Sequence, residues 1–130
     1  MDFSGIIIEE SLTDPTVLRD IMIVSTKTES VTPEHRTPWV KQWTMHTIEI
    51  PSDKAGAVAE RISRALDAEH NWHADFKTET EHYIIYRDKV FHITDRSDAH
   101  QYDEATEYGI SVGIPAYQVD FSPHLKQWER

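Results

Sequence analysis

The sequence predicts an α+β domain with one mixed, mostly antiparallel sheet, a β-α-β unit and two main helices, in an arrangement of ferredoxin-like character. Segments 43–50 and 72–78 alternate polar and apolar side chains, as strands do. Between them, apolar residues recur at helical spacing, and a hairpin pattern and a second helical segment follow. Because 130 residues suffice for one hydrophobic core, residues 1–130 are expected to form a single domain.

Two strands are expected near the beginning of the chain. Phe3 to Glu10 contains three consecutive isoleucines, which favour a pleated, buried setting. Asp14 followed by Pro15 is typical of a short helical turn. Ile21 to Val24 then begins a second strand, which continues into a polar stretch. We expect both strands to extend the sheet that the later elements form.

The β-α-β unit comprises strand 43–50, helix 53–70 and strand 72–78. Ser52 or Asp53 is expected to cap the helix. The helix carries one apolar stripe, which is formed by Ala55, Val58, Ala59, Ile62, Ala65 and Leu66. We expect this stripe to cover a sheet face that contains Trp72, Ile84 and Phe91.

A β-hairpin is expected after residue 80, with Asp88 and Lys89 as a two-residue turn. This turn would place His82 opposite Asp95 and would form an apolar face from Tyr86, Phe91, Ile84 and Ile93.

The second helix is expected to begin at Ser97 or Asp98 and to end at Tyr108. Gly109 would supply the left-handed residue that stops it, and Ile110 would pack back on the last turn. The segment that follows, through residue 121, is expected to be extended or briefly helical.

Three stretches of this sequence are NWHADFK at 71–77, YIIYRDKVF at 83–91 and YGISVGIPAYQVDF at 108–121. Over these stretches the chain resembles a group of short, uncharacterised bacterial proteins that share the pattern WxADFK…YGxSxGIPxxQxDF. The resemblance implies a bacterial domain that stands alone. It brings no activity and no catalytic residue with it.

Charge and composition exclude several classes of function. The chain has 13 Lys and Arg against 23 Asp and Glu, a net charge of −10, which disfavours nucleic acids and anionic membranes as partners. The absence of cysteine excludes disulfides, thiolate catalysis and thiolate-bound zinc. The four glycines form no phosphate-binding loop, so no cofactor is expected. Without a leader or a long apolar segment, a cytoplasmic location is expected.

Histidine and carboxylate side chains provide candidates for catalysis and metal binding. His70 and His73 are the tightest pair among eight histidines, but they lie on either side of a helix–strand junction, so no metal site is expected. His73 and Asp75 share one face of a strand, and Glu49 is expected on the same face of a nearby strand. These three residues could act in general acid–base catalysis. A small hydrolase or metal-assisted enzyme is therefore the alternative hypothesis. The other interpretation of these three residues is a polar sheet face exposed to solvent.

The leading hypothesis is a small, acidic, non-catalytic domain that binds a protein or a small ligand. Trp39 and Trp43 could form an aromatic contact surface, although both could instead belong to the core and its edge. Asp103, Glu104 and Glu107 give the second helix an acidic face, which is either a docking surface for a basic protein or a solubilising surface. The sequence leaves the oligomeric state open.

Overall fold

The computed structural model describes residues 2–33, 37, 39–70, 72–114 and 119. The strands are β1 (Phe3–Ile8), β2 (Met22–Ser30), β3 (Gln42–Ile50), β4 (His73–Lys77), β5 (His82–Tyr86) and β6 (Lys89–Ile93). The helices are α1 (Ala55–Ala65) and α2 (His100–Ser111), and two short 3-10 segments cover Glu9–Ser11 and Pro15–Asp20. Among the residues described, neither helix has the length and apolar character needed to span a membrane.

The six strands form one sheet in the order β2-β3-β1-β4-β5-β6, and every neighbouring pair is antiparallel. The α+β class and the two main helices are therefore confirmed. The predicted mixed sheet is wrong, and the strand order is not the ferredoxin-like one. The sheet is not mixed because β1 lies between β3 and β4, so that the strands joined through α1 run in the same direction without being neighbours. The first strand is central and does not extend an edge.

Helix α1 packs on one face of the sheet through the predicted apolar stripe. Val58, Ile62 and Leu66 belong to one buried cluster with Trp72 and Phe76. The predicted side-chain cap is wrong, because the helix begins at Ala55 and the residue before it makes no capping hydrogen bond.

Helix α2 packs on the opposite face of the sheet. Ile84 lies in a second buried cluster with Tyr102 and Ala105 of α2, and Phe91 packs against that cluster. Ile85, the next residue after Ile84, belongs to the buried cluster that contains the apolar stripe of α1. Successive strand residues point to opposite faces, so these two fully buried isoleucines need a helix on each side. The expected contact of α1 with Ile84 and Phe91 is therefore wrong.

The hairpin turns at Arg87 and Asp88, one residue earlier than predicted. Asp88 has a φ of 57°, a left-handed conformation that aspartate tolerates better than most residues. His82 consequently lies opposite Ile93, and the predicted pair with Asp95 is wrong. The pairing shifts by two residues, which preserves the faces, so Tyr86, Phe91, Ile84 and Ile93 share one face as expected.

Helix α2 ends later than predicted. A left-handed glycine follows it as expected, but this glycine is not Gly109. Gly113, with a φ of 96°, is the left-handed residue. The Ile114 N–H donates to the Gly109 carbonyl at 3.0 Å, and the Gly113 N–H donates to the Ile110 carbonyl at 3.0 Å, as in a Schellman motif. Gly109 is thus inside the helix. Most of the segment predicted to follow, 115–118 and 120–121, lies outside the described residues.

Candidate ligand-binding site

A cleft of about 520 Å³ opens on the sheet face that carries α2, where β1 and β4 lie side by side. It is lined by Asp2, Ser4, Gly5, Ile6, Thr47, Asp75, Lys77, Thr78, Glu79 and Arg96. The strand alternation of β4 explains part of this lining. Ala74 and Phe76 belong to the α1 cluster, so Asp75 and Lys77 point to the other face and reach the cleft.

Arg96 reaches the cleft from the segment after β6. Its guanidinium donates to the Thr78 carbonyl at 2.8 Å, and its backbone N–H donates to the Thr80 carbonyl at 3.0 Å. These two bonds hold Arg96 at the end of β4. The cleft therefore combines a side chain from β4 with one from the segment after β6, which is hydrogen-bonded to the connection between β4 and β5.

A buried chain of hydrogen bonds lies behind the cleft. His82 Nε2 is 2.6 Å from Asp75 Oδ2, and His82 Nδ1 is 3.0 Å from the Tyr102 hydroxyl. The exposed fractions are 0% for His82, 2% for Tyr102 and 7% for Asp75. A neutral imidazole satisfies both partners when Nε2–H donates to the carboxylate and Nδ1 accepts from the hydroxyl. The positive charge of the nearby Arg96 favours the ionised form of the Tyr102 hydroxyl and partly offsets the effect of burial on its pKa. These hydrogen bonds therefore run from Asp75, which lines the cleft, into the interior of the protein.

The surroundings keep His82 in its neutral form. Burial, assisted by the positive charges of Lys77 and Arg96, lowers the pKa of His82 to about 3. Burial also raises the pKa of the Tyr102 hydroxyl, which therefore remains protonated. For the Lys77 amine, partial burial and the nearby Arg96 charge lower the pKa below the ordinary value.

Two positive charges face this cleft without an opposing ion pair. Among the described residues, neither Lys77 nor Arg96 forms an ion pair with a carboxylate. The Nε atom of Arg96 is buried and has no hydrogen-bond partner among those residues. An oxyanion in the cleft could accept hydrogen bonds from both side chains.

The predicted catalytic trio is only partly brought together. His73 and Asp75 share one face of β4, and Glu49 of β3 lies on that face as well. However, β1 separates the two strands, so Glu49 is two strand spacings, or about 10 Å, from β4. The imidazole that contacts Asp75 belongs to His82, whereas the His73 ring lies 6.3 Å from the Tyr86 ring. His73 and Glu49 therefore do not form a relay with Asp75.

The two histidines considered for metal binding do not converge. His70 Nδ1 lies 2.7 Å from Asp67 Oδ2, and the His70 ring stacks on Trp39 with centroids 3.9 Å apart. Ligand atoms of Asp67, Glu69 and His70 lie within 4.8 Å of one another, and this group does not include His73. Such partly exposed groupings of acidic residues are common without a bound ion, so this one carries no assignment.

The two candidate tryptophans have different environments. Trp43 is buried, and its indole N–H donates to the Thr37 hydroxyl at 2.9 Å. Trp39 is 41% exposed and packs edge-on against Trp72 in addition to stacking on His70. They therefore form no shared platform, and Trp43 belongs to the core, which was the alternative considered from the sequence.

The acidic residues of α2 lie where the sequence predicted. Asp103, Glu104 and Glu107 are exposed, and α2 contains neither lysine nor arginine. His100 Nδ1 lies 3.3 Å from Asp103 Oδ2. Docking of a basic partner on this face stays a prediction.

Sequence reasoning found Asp75 but missed the other residues of the site. Lys77 shares a strand face with Asp75, and this periodicity could have identified it. His82 is the polar member of an otherwise apolar set on its hairpin, which is a second signal. Arg96 and Tyr102 gave no such signal, because only the packing of α2 and its preceding loop brings them to the sheet.

The fold and the site define a small α+β domain with a charged cleft on an antiparallel sheet. Comparison of the chain with protein-family models, curated proteins and solved structures gave no match. The resemblance to short bacterial proteins stays a prediction. The function therefore has to be inferred from the side chains of the cleft.

We expect the free energy of unfolding to decrease as the pH falls from 6.5 toward 3. In the unfolded chain His82 binds a proton near its ordinary pKa of 6.5, whereas in the folded protein its pKa is about 3. The unfolded state therefore binds more protons in this pH window. Each unit of difference between the two pKa values of His82 changes the free energy of unfolding by about 1.4 kcal/mol. Above pH 6.5 this contribution to stability is fully present.

Imidazole nitrogen NMR checks this expectation directly, because it reports the protonation state of each ring. At pH 5 the folded protein should give the chemical shifts of a neutral His82 ring. Denaturation at several pH values provides the matching free energies. A charged His82 ring in the folded protein at pH 5 would contradict the expectation.

Proposed function

We propose that this protein binds a small organic anion in the cleft, with Lys77 and Arg96 holding its carboxylate or phosphate group. One observation carries the proposal. In a chain of net charge −10, two cations without a carboxylate ion pair among the described residues line the same concave surface. This develops the small-ligand branch of the hypothesis drawn from the sequence.

Electrostatics supports an anionic ligand. The positive charge of Arg96 disfavours the protonated form of Lys77, so the two cations destabilise each other in the free protein. An anion between them relieves this repulsion. The guanidinium supplies a planar pair of donors that matches a carboxylate or phosphate, and the lysine supplies a compact charge.

The other polar groups of the cleft favour a small ligand over a polyanion. Asp75, Asp2 and Glu79 line the same cleft and repel additional negative charge. Their carboxylates can accept hydrogen bonds from a hydroxyl or amino group of the ligand, and Ser4 can offer its hydroxyl. The volume of about 520 Å³ lies within the usual range for small-molecule sites. The preferred ligand is therefore a small acid that also carries an uncharged polar group, such as a hydroxyl, an amine or a carbonyl.

A binding experiment with one matched pair of variants tests the proposal. Calorimetric titrations with phosphate, succinate, lactate and pyruvate should find at least one ligand of the wild-type protein. Lys77→Met keeps most of the aliphatic side chain and should weaken that ligand about tenfold, because a hydrogen bond to a charged group contributes about 1.5 to 3 kcal/mol.

Lys27→Met is the control, because Lys27 is exposed as Lys77 is, but lies outside the cleft on the edge strand β2. Its affinity should equal that of the wild type. Equal weakening by both substitutions would indicate a general charge effect and would contradict the proposed site. Failure of all four anions to bind at millimolar concentration would also contradict it.

A further inference from the structure

Lys77 has the surroundings of a reactive amine in addition to those of a binding residue. Lys77 lines the cleft and follows Asp75 by two residues on β4, so both side chains lie on one face of the strand. The Cα atoms of Asp75 and Lys77 are about 7 Å apart. Arg96 lies close enough to affect its charge. Among the described residues, no carboxylate forms an ion pair with Lys77 that would hold the amine in its protonated form.

Only the unprotonated amine of a lysine is a nucleophile. Partial burial and the neighbouring guanidinium both lower the pKa of Lys77, which increases the fraction of free amine at neutral pH. A lysine beside a second cation in a partly desolvated site is a known way to activate an amine toward carbonyl groups.

We propose that Lys77 forms a Schiff base with the carbonyl carbon of a small oxo acid whose carboxylate is held by Arg96. This inference rests on the proposed binding function and specifies the ligand class. An oxo acid fits both groups because its carboxylate matches the guanidinium fork and its carbonyl can then lie next to the amine.

The reaction needs no co-reactant. The lone pair of Lys77 Nζ forms a C–N bond, and the carbonyl π electrons move to oxygen, which takes up the proton lost by the nitrogen. The carbinolamine then loses its hydroxyl group with a further proton as water, which leaves a C=N bond. Overall, one amine and one carbonyl give one imine and one water.

Asp75 is the residue that can carry protons between the nitrogen and the departing oxygen, since its carboxylate lines the cleft. His82 and Tyr102 do not reach the cleft lining and act as positioning residues. His82 holds one carboxylate oxygen at 2.6 Å, and Tyr102 fixes the other side of the imidazole. The buried hydrogen bonds thus orient the Asp75 carboxylate, which carries the proton.

Reductive trapping tests the proposal on the intact protein. Pyruvate with sodium cyanoborohydride should convert the imine into a stable secondary amine, detected as a single mass increase. Peptide mapping should place it on Lys77, with labelling at least tenfold faster than at any of the other five lysines. Lys77→Met should lose the adduct, and Lys27→Met should retain it.

An uncharged carbonyl probe separates the role of Arg96. Arg96→Gln should slow labelling by pyruvate about tenfold more than labelling by acetone, because both probes lose the effect of the guanidinium on the Lys77 amine and only pyruvate also loses the contact with its carboxylate. Asp75→Asn should slow labelling by both probes, and it should change the pH profile of labelling, which a purely structural role would not do.

The possible results distinguish the two proposals. Pyruvate that binds without labelling Lys77 would overturn the Schiff base and leave anion binding intact. If pyruvate neither binds nor labels the protein, the Schiff base is also overturned. The other three anions still test the binding site in that case. Labelling spread evenly over the lysines would overturn the Schiff base as well. Mapping on the wild-type protein decides the outcome even if a variant fails to fold.

Discussion

Replacing His82 with leucine is expected to lower the free energy of unfolding by about 3 kcal/mol, because it removes a neutral imidazole that hydrogen-bonds a buried carboxylate and a buried hydroxyl. The substitution leaves the Asp75 carboxylate without its donor at 2.6 Å and the Tyr102 hydroxyl without an acceptor. Because His82 and Tyr102 are buried, bulk water does not readily replace the bond lost by the Tyr102 hydroxyl. Urea denaturation followed by circular dichroism measures the change.

The double variant Asp75→Leu with His82→Leu is the matched control. It removes both members of the buried contact, and an apolar pair of similar shape can be nearly neutral. We therefore expect the double variant to be more stable than His82→Leu alone. Tyr102→Phe should cost less, about 1 to 2 kcal/mol, because one uncharged bond is lost. A His82→Leu protein within 1 kcal/mol of the wild type would contradict the importance of this network.

Gly5→Ala is expected to destabilise the protein by about 3 kcal/mol or more, at or beyond the upper end for overpacked interiors. Gly5 lies on the central strand β1, directly opposite Phe76 of β4. An added Cβ would overlap the Asp75 carbonyl oxygen and would lie 2.8 Å from the Phe76 Cα. Both are backbone atoms, so the strands would have to separate to make room. Thermal and urea denaturation measure the loss.

Gly56→Ala is the control for this substitution. A Cβ at Gly56 on α1 would meet its nearest neighbour, the Tyr83 hydroxyl, at 3.5 Å, which is an ordinary contact. Because alanine favours helices over glycine, this variant should be more stable by about 0.5 to 1 kcal/mol. If Gly5→Ala were as stable as the wild type, the close approach of β1 to β4 would be incorrect.

Local periodicity predicted most of the elements and the direction of their side chains. The apolar stripe of helix Ala55–Ala65 and the strand at Gln42–Ile50 are as expected. The predicted faces of the hairpin are correct although the predicted turn is wrong. The strand pairing differs from the predicted one by two residues, and a shift of two leaves every side chain on the same face. Such patterns depend on neighbouring residues and can therefore be read along the chain.

Strand order could not be predicted in the same way. The isoleucines of β1 indicate burial, but a central strand and a strand buried at one edge have the same apolar pattern. The position of β1 depends on which strand edges meet, and the close approach at Gly5 shows how tightly it fits there. Placement of α2 on the second face was missed because the apolar hairpin residues were assigned to α1.

The sequence by itself determined the α+β class, the amphipathic helix and the strand face that carries Asp75 and Lys77, because these follow from side-chain spacing within one element. Only the tertiary structure decided that His82 contacts Asp75, that Tyr102 completes the buried chain and that Arg96 joins Lys77 at the cleft. These contacts join residues from different elements. They depend on register, strand order and helix docking, which arise from packing the whole chain and are not encoded in any one segment.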